Sequence, residues 1–255
     1  MPGDANGNTI KSTETLLVLI ETIQTRGTVG ITELATEAGV SKSTVHRHLT
    51  TLEKHGYVHK ESGQYRLGFR FLDIGVSVRN QFEVYRRMKQ PVFRLAIETN
   101  ELVSFVIEEN GWGVFLYRLQ GEQGVSSSAY IGKHSYLHHT SAGKALLAHL
   151  PDERIHEIID ERGLPPKTNE TITDRDALFT ELETIREERV AFSVGEHTAG
   201  LSSVGAPVVS PDGDVLGGLS VAGPTHRMAG DRFESEIPEQ LLSIINEFEL
   251  NITYS

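Results

Sequence analysis

From residue 13 onward the apolar positions repeat at helical spacing. "TETLLVLIETIQTR" (13–26) sets Leu16, Leu17, Leu19, Ile20 and Ile23 on one stripe, which predicts an amphipathic helix stopped by Gly27. Thr32 stands where a cap is needed for a short helix, "ELATEAG", with Leu34, Ala35 and Ala38 turned inward. Gly39 permits the backbone angle of a tight turn, Val40 plugs that turn, and Ser41 is placed to cap a third helix. Three helices with a glycine-containing turn between the second and third predict a helix-turn-helix.

The third helix, inside "AGVSKSTVHRHLTTLEKHGYV" (38–58), sorts its residues by angle. At about 100° per residue, Val45, Leu49 and Leu52 fall in one narrow inward sector. Ser43, Arg47, Thr50 and Lys54 fall near the opposite pole, with Thr44 and His46 on the shoulders and no acid on the pole. Short hydroxyls let a phosphate backbone come close, and an arginine can bond two acceptors on a guanine edge. This is the make-up of a recognition helix; a merely solvated face is the plainer alternative. The next residues, "GYVHKESGQYRLG", argue for the former. They read as a strand (57–60), a turn (61–63) and a return strand (64–67), the hairpin of a winged helix. Candidate DNA contacts are therefore Lys42, Ser43, Thr44, His46, Arg47, Thr50 and Lys54, with Lys60 and Arg66 on the wing. Tyr57, Val58 and Leu67 are expected to pack beneath.

Helical spacing resumes at Phe71, Leu72, Ile74 and Val78, and again at Phe82, Tyr85, Met88, Val92, Leu95 and Ala96. Pro91 is expected to break or kink this run, giving a linker helix over 69–90. Its apolar stripe suits dimer packing. Beyond it the period alternates. "LVSFVIEE" (102–109) and "WGVFLYRL" (112–119) flank Asn110-Gly111, a strong hairpin signal. Further strands are expected at 125–131, 190–194, 202–209 and 214–222, and helices at 141–150, 152–162 and 235–250. Thr173 with Asp176 resembles a capping box opening another helix. The expected fold class is α+β: a tail (1–9), a winged helix-turn-helix (10–68), a linker helix (69–90) and an antiparallel α+β domain (91–255).

Charge divides the same way. Residues 1–90 carry 12 Lys+Arg against 9 Asp+Glu, whereas residues 91–255 are net −14. A basic front and an acidic back point to two tasks, only the first compatible with a polyanion. With no cysteine, disulfides and thiolate-held metals are excluded. The first residues, "MPGDANGNTIKS", lack the features of a signal peptide and read as a disordered tail. No apolar run is long enough to span a bilayer. A cytoplasmic location and no membrane partner are expected.

Candidate chemistry is sparse. "HTSAGKA" places Ser141, Ala142 and Gly143 at a helix start, where free N–H groups can hold a carboxylate; a close-packed capped helix is the plainer reading. A phosphate loop is excluded, because Ala145 follows Lys144 where the motif needs Ser or Thr. His134, His138, His139 and His197 carry no metal-site spacing, and adjacent histidines on an extended segment would point apart. Ser202-Ser203-Val204-Gly205 lacks the hydrolase elbow. No enzyme, metal or cofactor is predicted.

Three strings taken together, the wing ending "YRLG", "HHTSAGKALLA" and "GLSSVGAPVVSPDGDVLGGLSVAGP", resemble the IclR family of transcriptional regulators over roughly 10–253. The resemblance implies an N-terminal DNA-binding domain, a linker helix and a C-terminal GAF-like effector domain. It implies a homodimer or dimer of dimers on an operator in double-stranded DNA. It also implies that Ser141, Ala142 and Gly143 form one wall of an effector pocket, with Ser193, Ser203, Ser220 and Ala222 on the final strands. Small-acid-binding members typically carry Asp, Cys, Ser and Ser at the last four; only Ser220 matches here. The expected effector is a sugar, a sugar acid or another small organic acid. The competing reading is a small-molecule-binding protein whose winged helix serves protein contacts.

Overall fold

The computed structural model of the chain describes residues 9–124 and 129–253. They form two compact units, divided between Phe82 and Glu83.

The first unit contains α1 (Lys11–Arg26), β1 (Val29–Gly30), α2 (Ile31–Glu37), α3 (Lys42–Lys54), β2 (Val58–Glu61), β3 (Gln64–Leu67) and α4 (Arg70–Asn80). Leu19, Ile23, Val29, Leu34, Val45, Leu49, Val58 and Tyr65 close one core, each contributing about 1.5–3 kcal/mol of apolar burial. The wing turns at Ser62-Gly63, both at positive φ (51° and 84°), as a two-residue hairpin on right-twisted strands requires. Three details differ from the sequence expectation. Leu17 points outward, because the apolar stripe of α1 is wider than the face it packs on α2 and β3. Thr32 lies inside α2, which starts after Gly30 without a side-chain cap. Gly30 and Val29 instead pair with Gln64 and Tyr65, adding a third strand too short to leave a periodic trace.

The second unit contains α5 (Glu83–Thr99), β4 (Leu102–Glu109), β5 (Trp112–Gln120), β6 (His134–Ser135), a 3-10 turn (Leu137–His139), α6 (Ser141–Ala148), α7 (Asp152–Arg162), α8 (Arg175–Glu188), β7 (Ala191–Val194), β8 (Leu201–Val209), β9 (Val215–Pro224), a π turn (Arg232–Glu236) and α9 (Ile237–Thr253). The six strands form one antiparallel sheet in the order β6-β5-β4-β9-β8-β7. α6 covers one face, while α5 and α9 pack on the sheet from the other. α7 and α8 seal α6 through Ile155, Ile158, Leu178, Leu182 and Ile185. Among the described residues no helix is long and apolar enough to cross a membrane.

Pro91 does not break the linker. α5 runs through it, and the helical run is interrupted at Gln81–Phe82 instead. A mid-helix proline costs about 3 kcal/mol, less than burying Met88, Val92, Leu95 and Ala96 returns at about 1.5–3 kcal/mol for each larger side chain. The strand expected at 125–131 is also corrected. Residues 125–128 lie outside the described ones, 129–131 are not strand, and the edge is supplied by β6. α8 is capped by Asp174, whose carboxylate accepts from Ala177 N at 2.9 Å, and not by Thr173.

Candidate DNA-binding surface and effector cleft

Ser41 fixes the start of α3: its Oγ accepts from Thr44 N at 3.2 Å. The same Oγ lies 2.8 Å from Ser43 Oγ and 3.0 Å from Thr44 Oγ1, gathering three hydroxyls at one helix N-terminus. Val45, Leu49 and Leu52 are buried, so the helix presents Lys42, Ser43, His46, Arg47, Thr50 and Lys54 to solvent, with Thr44 half-buried. Thr50 Oγ1 sits 3.4 Å from His46 Nδ1. On the wing, Lys60 is exposed above the Tyr65 ring, 5.7 Å from its centroid. Arg66 is drawn into an ion pair, its Nε and Nη2 donating to Glu61 Oε1 at 3.0 and 2.8 Å. That pair holds the Glu61 carboxyl below its ordinary pKa, first through the hydrogen bond and then through the charge of Arg66.

In the second unit the strand register aligns two rows across one face. Arg118, Ser104, Ser220 and Gly205 are cross-strand neighbours in the first; Leu102, Ala222, Ser203 and Ser193 are neighbours in the next. These rows floor a cleft walled by Thr140, Ser141 and Phe115 and by His197 and Thr198 from the loop after β7. Ser141 Oγ donates to Ser203 Oγ at 2.8 Å, tying the wall to the floor. Ser141, Ser193, Ser203, Ser220 and Ala222 thus line one cleft.

Ala142 and Gly143 do not line the cleft, which corrects the expectation for both. Ala142 packs with Val106 and Phe115. A Cβ on Gly143 would sit 2.1 Å from the Leu137 carbonyl oxygen, and one on Gly218 2.1 Å from that of Ala142. The small residues are there because α6 lies directly on backbone. Nor is this helix N-terminus free, since Thr140 Oγ1 accepts from Gly143 N at 3.0 Å. The charge in the cleft comes instead from Arg118, which carried no motif in the sequence. Burial lowers its pKa, and its guanidinium carbon lies 4.8 Å over the Phe115 ring.

The wall carrying His197 is held by a buried charge cluster. Lys144, 1% exposed, donates to Glu181 Oε1 and Glu196 Oε1, both at 2.9 Å. Burial raises the Glu196 pKa, opposed by Lys144. Thr168 and Thr171 hydroxyls donate to the Gly195 and Glu196 carbonyls at 2.8 Å. His197 is pushed down to about pKa 4 by burial first, then by Lys167, His139, Arg118 and Lys133, and is neutral at pH 7.

His138 and His139 do not point apart. The 3-10 turn brings both rings onto one acceptor, the Pro165 carbonyl, at 3.2 and 2.9 Å from their Nε2 atoms. Among the described residues no group of three or more His, Cys, Asp or Glu is arranged to hold a metal ion.

The fold and its site define a class: a winged helix-turn-helix joined to an α+β unit with a polar cleft. The profile described as "IclR helix-turn-helix domain" matches residues 15–62, and that described as "Bacterial transcriptional regulator IclR C-terminal" matches 76–247. The chain belongs to the IclR family of DNA-binding transcriptional regulators, which carry a C-terminal ligand-binding domain. It is similar to a Halobacterium salinarum protein named "Probable HTH-type transcriptional regulator ArcR", 30% identical over 238 residues (92% of this chain and 90% of that one). The Escherichia coli transcriptional repressor IclR is 28% identical over 232 residues (89% and 85%). Such relatives are regulators and repressors, not enzymes. The solved Thermotoga maritima IclR superposes with TM-score 0.78 at 26% identity, over 95% of this chain and 97% of that one. The fold is shared also with an IclR homologue from Microbacterium hydrocarbonoxydans solved with 4-hydroxybenzoate (TM-score 0.81, 22% identity, 96% and 100% covered).

Proposed function

We propose that this regulator reads an operator with α3 in the major groove and answers to a small organic acid, a sugar acid among them, bound in the serine-lined cleft. The observation that carries the reading is the outward face of α3: hydroxyls, Arg47 and Lys54 exposed, no acid among them, and the aliphatic residues buried beneath. Arg118 beside the serine hydroxyls of the floor supports an anionic ligand. The 4-hydroxybenzoate bound by the Microbacterium homologue is an acid of the same kind.

A homodimer, or a dimer of dimers, fits α4. None of its residues is buried, and Leu72, Ile74 and Val78 stand exposed on it. A second copy would cover them and present two recognition helices to a palindromic site. The ligand acts through different affinities for two dimer shapes, and the cytoplasm is the place of action.

The test is a gel shift on DNA upstream of the protein's own and neighbouring genes, with and without organic acids. Arg47→Ala weakens specific binding by about 1–3 kcal/mol and leaves random-sequence binding nearly intact. An equal loss on both DNAs assigns Arg47 to the phosphate backbone. No sequence-preferring shift at any salt concentration favours the alternative, a winged helix used for protein contacts.

A further inference from the structure

Beside the serine cleft lies a second, more open space lined by Trp112, Phe115, Lys133, Tyr136, His139, Lys167 and their neighbours. Phe115 and His197 line both spaces, so the two adjoin along these side chains. Their chemistry is of one sign. Arg118 stands in the first, Lys133 and Lys167 in the second, and among the described residues neither lining includes an Asp or Glu. This occurs in the part of the chain that is net −14. A cationic, acid-free double chamber in an otherwise acidic domain selects for negative charge. The shared wall agrees, because the cations acting on His197 come from both sides of it: Lys167 and Lys133 from one, Arg118 from the other.

We propose that the ligand of this protein is a dianion spanning both chambers, one acid group on Arg118 and the serines and the other on Lys133 and Lys167 beside Trp112 and Tyr136. This rests on the serine cleft being the effector site. A monoanion reaches only one of the two groups of cations. A molecule with an acid at each end meets both and lays its middle along Phe115 and the neutral His197 imidazole. The aromatic walls favour an apolar or planar spacer: Tyr136 packs edge-on against Trp112 at 4.7 Å, and His134 stacks on the same ring at 6.0 Å.

Trp112 is the only tryptophan in the chain and lines only the second chamber, so its emission reports occupancy there. The full-length protein is titrated with straight-chain dicarboxylates from malonate to pimelate, with terephthalate, and with the matched monocarboxylates. Binding is followed by calorimetry and by Trp112 fluorescence. The best dicarboxylate is expected to bind about tenfold tighter than its monocarboxylate and to shift Trp112 emission saturably, the monocarboxylate leaving it unchanged. Lys133→Met with Lys167→Met removes the tenfold preference and the emission change but not monocarboxylate binding. The proposal is overturned if dicarboxylates bind no tighter, if monocarboxylates move Trp112 equally, or if the double variant keeps the preference. Arg118→Met separates the two claims. If monocarboxylate binding survives it unchanged, the cleft reading itself fails, whatever the lysines do. Absence of heat with every acid overturns both.

Discussion

Lys144→Met removes the ammonium that joins Glu181 and Glu196 at a position only 1% exposed. Methionine keeps the length and apolar stem of the side chain, so the perturbation is chiefly electrostatic. Glu196 is left buried without its cation, and removing one member of a buried pair costs about 3–5 kcal/mol. Two features hold the cost toward the lower end. Glu181 is a third exposed and can turn to water. Burial already raises the Glu196 pKa, so that group can take up a proton rather than stay charged. The expected loss is about 3 kcal/mol, a large share of a domain's usual stability. Urea unfolding followed by Trp112 emission reads it, because that tryptophan lies in the affected unit. The penalty is carried by the ionised carboxyl, so protonating the native state relieves it. The deficit therefore shrinks as pH falls from neutrality, and adding Glu196→Gln recovers at least about 1 kcal/mol. Glu196 precedes His197 in the cleft wall, so acid binding weakens alongside. A deficit under about 0.5 kcal/mol, or one that does not change with pH, refutes a buried charge cluster as the brace of this wall.

Three further outcomes are expected. Gly143→Ala drives a Cβ toward the Leu137 carbonyl oxygen, 2.1 Å away, and destabilises the second unit by at least the roughly 1–3 kcal/mol of ordinary overpacking, read as a lower urea midpoint; an unchanged midpoint places α6 farther from that turn. His138 is held by burial at about pKa 4 against an ordinary 6.5. The unfolded chain takes up a proton below pH 6.5 that the native chain refuses until about 4, so stability present at neutral pH declines through that window, by about 2 kcal/mol at pH 5. His138→Gln, which keeps a donor for Pro165, should flatten the slope in urea titrations at several pH values; an identical slope assigns the decline elsewhere. Glu61→Gln releases Arg66 on the wing, and a steepening by up to about one in the log affinity against log salt slope marks a new phosphate contact, whereas an unchanged slope removes Arg66 from the DNA surface.

The sequence by itself determined the first unit almost entirely. A helix start, a glycine turn and a two-residue hairpin are local devices, each written in a few neighbouring residues: Ser41 for α3, Gly39 before it, Ser62-Gly63 in the wing. Angular sorting then separated Arg47 from Val45 without reference to anything distant, because an isolated helix already fixes which residues share a face. It was also enough for the hairpin at Asn110-Gly111, both at positive φ. Locality failed where packing outweighs propensity, as at Pro91, which the buried stripe of α5 carries through the helix.

The cleft was decided by tertiary structure. Ser193, Ser203, Ser220 and Ser141 come from four elements and converge only through the register of β7, β8, β9 and the seating of α6. A shift of one residue in any pairing would turn those hydroxyls to the other face. Arg118 belongs to the site because β5 pairs it with Ser104, and nothing in its own neighbourhood announces that. The small residues of "TSAG" gave a true signal of close approach, but the group approaching is the protein's own backbone. Spacing along a chain encodes what one helix or hairpin does alone; which polar groups share a desolvated space depends on distant strands meeting, and that only the folded sheet supplies.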